Sequence, residues 1–359
     1  MTFEEAVAAI NSARSFADLA GPRTAPASAD SAGGFADPAG PRSEPASIFV
    51  GGGDSAAAVG EPVEAYRKLS KIVHPDAAPA TESARATEAF AKLSALWAAF
   101  RPSGDHADKP GGPSGDHADM HDGLSGDIAD LVPHDGGRAL RKVPRLPGDN
   151  DLMTAEAVAL RTLWTEGDRQ YRPYAPRLIE STRDGRKRVN VLERLHGFVT
   201  LAEVLRRRPD GIDARDAAWM WRRLLTGLGW AHRVGVVHGA VLPAHVLIHP
   251  EEHGVVLVDW CYSVATGTPL TALVAQHRAD YPPEALAKQP ATPATDIYLA
   301  TVLMRRLIRR PPAPIARFLD GCLYDAPRMR PQDAWALLAE LDEVLFACFG
   351  PRKFRPFTV

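Results

Sequence analysis

A tandem repeat constrains this chain more than any other feature. SGDHADKPGGP begins at Ser103, SGDHADMHDGL at Ser114 and SGDIADLVPHD at Ser125, a spacing of eleven residues. The first two copies are rich in Gly, Pro and Asp with no apolar face, so they bury too little surface to offset the entropy of ordering them. The third exchanges a histidine for Ile128 and runs on into Leu131 and Val132. It is expected to be the edge of a folded domain, and the first two copies a linker. A second tandem pair, FADLAGPRTAPAS at 16–28 and FADPAGPRSEPAS at 35–47, reads as a flexible insert. A chain interrupted twice in this way does not build one continuous core. The expected division is an N-terminal helix at 1–20, an insert at 21–55 and a helical block at 56–101. A repeat linker follows at 102–124, then a strand-rich block at 125–197, a helix-rich block at 198–350 and a tail at 351–359.

His106, His117 and His121, among the repeat's aspartates, have metal-ligand chemistry. They read instead as a polar linker, because ligands on floppy backbone hold no coordination geometry. Over the whole chain 45% of residues are hydrophobic and 24% charged, which leaves enough apolar surface for real cores. The net charge of −2 exerts no global pull towards nucleic acid. Cys261, Cys322 and Cys348 are far apart and lack CxxC pairing, the pattern of a reduced protein without a disulfide framework or zinc site. The opening MTFEEAV is acidic and has no secretory-signal character. Charges interrupt the apolar stretches at 296–308 and 334–349, so these are expected to be core helices rather than membrane spans. The expected location is the cytoplasm, with neither nucleic acid nor membrane as partner.

In the first half, residues 2–19 have the pattern of one amphipathic helix. A second helix is expected over 61–73, with Pro62 in its first turn and Tyr66, Leu69, Ile72 and Val73 on its apolar face. His74-Pro75 stops it. A third runs over 80–100 with Phe90, Leu93, Leu96, Trp97 and Phe100 as its stripe. AYRKLSKIVHPD followed by ATEAFAKLSALWAAF resembles a J domain, the module that stimulates Hsp70 ATPases. The resemblance implies an all-α helical hairpin. Its loop, His74, Pro75 and Asp76, and its basic face, Arg67, Lys68 and Lys71, would engage an Hsp70-type chaperone through charge complementarity. The family's first helix is expected from residues 1–20, and the insert after it is tolerable because closure cost grows only logarithmically with loop length.

From about 125 to 347 the order of elements resembles a eukaryotic-type protein kinase, implying an α+β bilobal domain. The whole chain is thus expected to be multidomain. In that family a glycine-rich loop covers ATP, a strand lysine holds its phosphates, one loop aspartate positions the substrate hydroxyl and another holds magnesium. Here SGDIADLV keeps only Gly126, with Ala129 at a later glycine position and Leu131 at the cover valine. Lys142 in RALRKV is the strand lysine, or Arg141 if the register slips by one, and Glu156 is its expected partner. RVNVLERL reads as a strand running into a hinge at Glu193, Arg194 and Leu195. Trp219, Leu224, Leu228 and Trp230 in the following helix read as core.

The loop VVHGAVLPAHVLI keeps His238 and Pro243 of H-R-D-L-K-P-E-N. Gly239 replaces its arginine, Ala240 the catalytic aspartate, Leu242 the lysine and His245 the magnesium-binding asparagine. Ala240 cannot take a proton, Leu242 cannot neutralise phosphate, and His245 is a poor ligand for a hard cation. Losing such groups costs many powers of ten in rate. Asp259 in VVLVDWCYS stands at the metal-binding aspartate, and either holds a cation or caps its turn. Glu284 is expected to pair with Arg330, and Asp296 to brace the catalytic-loop backbone.

The scaffold residues remain and the phosphate-moving residues are missing. The expectation is therefore a J-domain co-chaperone fused to a pseudokinase that binds a client, a regulator or a nucleotide. ATP with magnesium is the cofactor the resemblance implies at Lys142, Glu156, Glu193, Leu195 and Asp259; the reading requires none. The alternative is an atypical serine/threonine protein kinase with a displaced catalytic acid. An open cleft between Lys142, Glu156 and Asp259 favours a nucleotide site, whereas filling by Trp260 or Leu131 disfavours it.

Overall fold

A computed structural model describes residues 1–20, 65–66, 68–73, 78, 80–100 and 124–359. The chain divides into two compact units, Met1–Ala107 and Asp108–Val359. Together they make a mixed α and β protein with small antiparallel sheets.

In the first unit, the helix Phe3–Ser12 starts at a capping box: Glu5 N donates to Thr2 Oγ1 at 3.3 Å and Thr2 N to Glu5 Oε2 at 2.8 Å. The single helix expected over 2–19 does not form. Ala13 leaves helical geometry at ψ 137°, and a short helix, Ala17–Ala20, follows the break. Asp18 explains the break, since its carboxylate accepts from Arg14 N and Ser15 N at 2.9 Å each and so offers the backbone an alternative to the helix. Residues 65–66 and 68–72 are helical, and Ser83–Phe100 forms the unit's longest helix. Ile10, Phe16, Tyr66, Leu69, Val73 and Leu93 meet in one apolar cluster, with the Phe16 and Tyr66 rings 6.1 Å apart. Lys68 and Lys71 are exposed. Arg67 and the loop His74, Pro75 and Asp76 lie outside the described residues, as do the first two copies of the eleven-residue repeat and the 21–55 insert.

The second unit begins with five antiparallel strands in the order β1-β2-β3-β5-β4: β1 Leu124–Ser125, β2 Ala129–His134, β3 Ala139–Pro144, β4 Leu178–Asp184 and β5 Lys187–Glu193. The helix Asn150–Glu166 lies against β4 and β5 and turns Met153, Glu156, Leu160 and Leu163 inward. The rest is mainly helical. Ala214–Arg233, at 20 residues, is the spine of this part; Trp219, Leu224, Leu228 and Trp230 are all buried, as core residues should be. Gly229 lets the helix Ala334–Phe349 come close, because a Cβ there would lie 2.5 Å from Trp335 Nε1. Two small sheets frame the loop between: β6 Val199–Thr200, β8 Val246–His249 and β9 Gly254–Leu257 form one, and β7 Val236–Val237 pairs with β10 Val264–Ala265 in the other.

The tail at 351–359 is docked. Phe357 is buried near Trp219, and Phe354 stacks on His253 at 4.4 Å. Arg355 pairs with Asp216 at 3.2 Å, and Arg208 Nη2 donates to Thr358 O at 3.1 Å. Nothing in the local sequence pattern of the tail signalled this.

Candidate functional site

β3 carries Lys142 inward. It lies opposite Leu131 on β2 and opposite Asn190 on β5. Its ammonium donates to Glu156 Oε1 at 2.7 Å and to Asp259 Oδ1 at 2.5 Å, with Cys261 Sγ 3.8 Å away. Lys142 is 3% exposed and Glu156 1%. Such burial disfavours the charge, but the Asp259 and Glu156 carboxylates outweigh it and hold the ammonium well above its ordinary pKa. Asn190 completes the pair from β5: its amide donates to Glu156 Oε2 and to Met153 O, both at 2.9 Å. Arg141, the slipped-register alternative, instead pairs with Asp184 towards the surface.

Asp259 does not cap its turn. It sits at φ 61°, ψ 45°, and its side chain makes no capping hydrogen bond to the short helix Trp260–Tyr262 that it precedes. The carboxylate is spent on Lys142 and faces His245 at 3.5 Å. Burial would raise its pKa, but Lys142 and His245 drive it well below the usual carboxylate range. Glu156, Asp259 and Cys261 offer ligand atoms within 4.8 Å of one another. Magnesium does not fit the arrangement. The Lys142 ammonium already bonds both acids, and burial pushes the Cys261 thiol well above its ordinary pKa, so the third donor is a soft neutral sulfur.

The loop 236–248 is tied down by its own backbone. Asp296, on the helix Pro293–Leu307, accepts from His238 N and Gly239 N at 2.8 Å each and from His232 Nε2 at 2.8 Å. His238 Nε2 reaches Val258 O at 2.9 Å, and Ala240 N donates to His238 Nδ1 at 3.2 Å. Burial brings the His238 pKa down to about 4, so the ring is neutral at pH 7. Ala240 and Leu242 are buried. At Gly239, φ is +75° and a Cβ would meet Tyr262 O at 2.6 Å, so this backbone needs a residue without a side chain. Glu284 and Arg330 meet as expected, at 2.6 and 2.9 Å.

A second acid, besides Asp296, reaches this loop from a distant part of the chain. Gly126–Ala129 is a tight turn, with Gly126 N donating to Ala129 O at 2.8 Å. Arg145 braces it by donating to Gly126 O at 2.5 Å and to Asp127 O at 2.8 Å. The turn points Asp127 at His245. Asp127 Oδ2 accepts from His245 Nε2 at 3.0 Å and from Tyr262 OH at 3.4 Å, and Oδ1 accepts from Gln276 Nε2 at 3.3 Å. His245 Nδ1 lies 2.8 Å from Ala240 O, and its ring stacks on Tyr262 with centroids 5.7 Å apart. Burial opposes the charge on His245, but Asp259 and Asp127 raise its pKa above the ordinary value. Both His245 ring nitrogens face oxygen acceptors, Ala240 O and Asp127 Oδ2, the arrangement of a doubly protonated ring between two acids.

Trp260 does not fill the cleft. It turns into the core, 4.5 Å from the His238 ring, and donates to Leu257 O at 2.8 Å. Leu131 is half-buried on β2. The side chain lying over His245 is Asp127. Glu193 and Leu195 are not part of this cluster. Glu193, exposed at the end of β5, pairs with Ala139, three residues from Lys142 and so about 10 Å along the strand. Its amide donates to Arg177 O at 2.9 Å, and that of Arg194 to Arg138 O at 3.2 Å.

No family model matches the chain, and neither does any curated protein.

Proposed function

We propose that the chain is a J-domain co-chaperone whose second unit is a kinase-like binding domain that does not transfer phosphate. One observation carries the second half: the loop 236–248 has no acid, and the Ala240 position is closed off in the core. The Ala240 amide and carbonyl are taken up by His238 and His245. A substrate hydroxyl placed there would find no proton acceptor on this loop. Lys142 and Asp259 persist as members of a closed ion network, a structural use of residues that would otherwise bind phosphate and metal.

The co-chaperone half rests on the HPD-containing sequence and on two features of the first unit. Its helices share one core around Tyr66, Leu69 and Leu93, and Lys68 and Lys71 face solvent. Exposed lysines on one helix suit an acidic partner surface. Among the described residues no helix is long and apolar enough to cross a membrane.

Two measurements test this reading. The full chain should stimulate the ATPase of an Hsp70 from its own cell, and His74→Gln should abolish the effect; stimulation that ignores this change removes the co-chaperone claim. Radiolabelled ATP should give no transfer above background to the chain or to a generic protein substrate. Asp127 is the observation favouring the rival reading, a kinase with a displaced acid. Transfer that disappears in Asp127→Asn would establish that rival.

A further inference from the structure

The contacts of Asp127 describe a binding site from the inside. A carboxylate is held by three donors from three separate segments: the His245 imidazole, the Tyr262 hydroxyl and the Gln276 amide. His245 is 1% exposed, so it is a built-in group and not a surface contact. Its position is fixed from behind by Ala240 O and by the Tyr262 ring. Asp127, in contrast, arrives on a turn of the opposite sheet, 118 residues away in sequence from His245. One side of the contact is a fixed donor set and the other is a tethered anion.

We propose that His245, Tyr262 and Gln276 form an anion site for a phosphate ester or pyrophosphate group, bound without a divalent cation, and that Asp127 is its intramolecular competitor. The positive partner is supplied by the protein itself, by His245, both of whose ring nitrogens face oxygen acceptors; the Lys142 charge is already matched by Glu156 and Asp259. A metal is unnecessary where a cationic side chain already faces the anion. The tether gives Asp127 a high effective concentration, so an external anion binds only in the fraction of molecules whose turn has lifted. This inference rests on reading the second unit as a non-transferring binding domain, and it specifies the ligand chemistry of its cleft.

The test is calorimetric titration of the full-length chain with sodium pyrophosphate in EDTA. A parallel series uses ATP in EDTA and in magnesium. Wild type is expected to bind weakly. Asp127→Ala should bind pyrophosphate at least about tenfold more tightly, the gain expected for a turn closed about nine-tenths of the time. His245→Ala added to that variant should remove the gain. Asp320→Ala, which removes an exposed carboxylate paired with Arg305 away from the cluster, should change nothing. Asp127→Asn, nearly isosteric, provides the same comparison if the alanine variant folds poorly. A gain with pyrophosphate, whether or not ATP shares it, supports the site; a gain that ATP shows and pyrophosphate does not, or that needs magnesium, overturns it. So does equal affinity of wild type and Asp127→Ala, or an equal gain from Asp320→Ala. Transfer of phosphate from ATP would overturn the non-transferring reading and leave these affinity ratios unchanged.

Discussion

Glu284 and Arg330 illustrate how a buried ion pair can be both costly and necessary. Both side chains are within the core, at 1% and 0% exposure, and the guanidinium also reaches the carbonyls of Tyr324, Ala294 and Asp325. Every strong donor direction is used, which offsets the desolvation of the pair. Truncating one partner leaves an uncompensated charge. Arg330→Leu or Glu284→Gln should therefore cost about 3–5 kcal/mol in urea unfolding, and the double change less than the sum of the two. At His238 the prediction concerns pH. The unfolded imidazole titrates near 6.5, whereas burial holds the folded one down to about 4. Between those values the unfolded chain binds the extra proton, so this contribution is complete above pH 6.5 and is lost as pH falls towards 4. It amounts to about 3 kcal/mol. His245 has the opposite sign: its raised pKa favours the folded state in acid, and that contribution is lost as pH rises through the raised value. Unfolding midpoints from pH 7 to pH 4 should fall less steeply for His238→Gln than for wild type; parallel curves would refute the assignment. Lys142, Glu156 and Asp259 were singled out from the sequence through their resemblance to protein-kinase positions, each within or just after a strand or helix. Asp127 was not, because its role depends on a turn and on a partner far along the chain.

At the scale of elements, the loop 236–248 shows how a backbone frame stands without an acid at position 240. Its backbone bonds to Asp296 and Val258 involve amides, a carbonyl and one imidazole, none of which needs an acid at position 240. Gly239 is part of that frame. Gly239→Ala would place a Cβ at positive φ, 2.6 Å from Tyr262 O and 2.8 Å from Leu270 Cδ2. It should lower stability by about 1–3 kcal/mol, read as a reduced melting temperature. Elements with strong periodicity were readable in advance: Ala214–Arg233 buries the apolar stripe its sequence displays. The helix expected over 2–19 failed for a local reason that periodicity does not detect, since Asp18 bonds two amides of the preceding turn. The order of the five strands was not readable either, because a ladder records pairing between segments and not a property of any one of them.

For the whole molecule, the relevant fact is that among the described residues the two apolar cores share no member: one is built from Phe3 to Leu96, the other from Ile128 to Val359. Each unit therefore has an apolar core of its own. Residues 108–359 expressed alone should unfold in one cooperative urea transition followed by circular dichroism; a broad, non-cooperative melt would contradict this. Removing 351–359 from that fragment should lower the midpoint, because it uncovers Trp219 and His253 and breaks the Arg355–Asp216 pair. By itself, the sequence determined the interruption of the chain by repeats, the helices and strands with clear apolar periodicity, and the lack of an acid in the loop 236–248. These are properties of composition and short-range pattern. Only the tertiary structure decided that Asp127 lies over His245, that Lys142 closes on Asp259 117 residues away, and that the tail docks on Trp219. Each of those contacts is a choice among many charged or aromatic partners. Packing makes that choice by bringing distant segments within bonding distance, and local sequence carries no record of it.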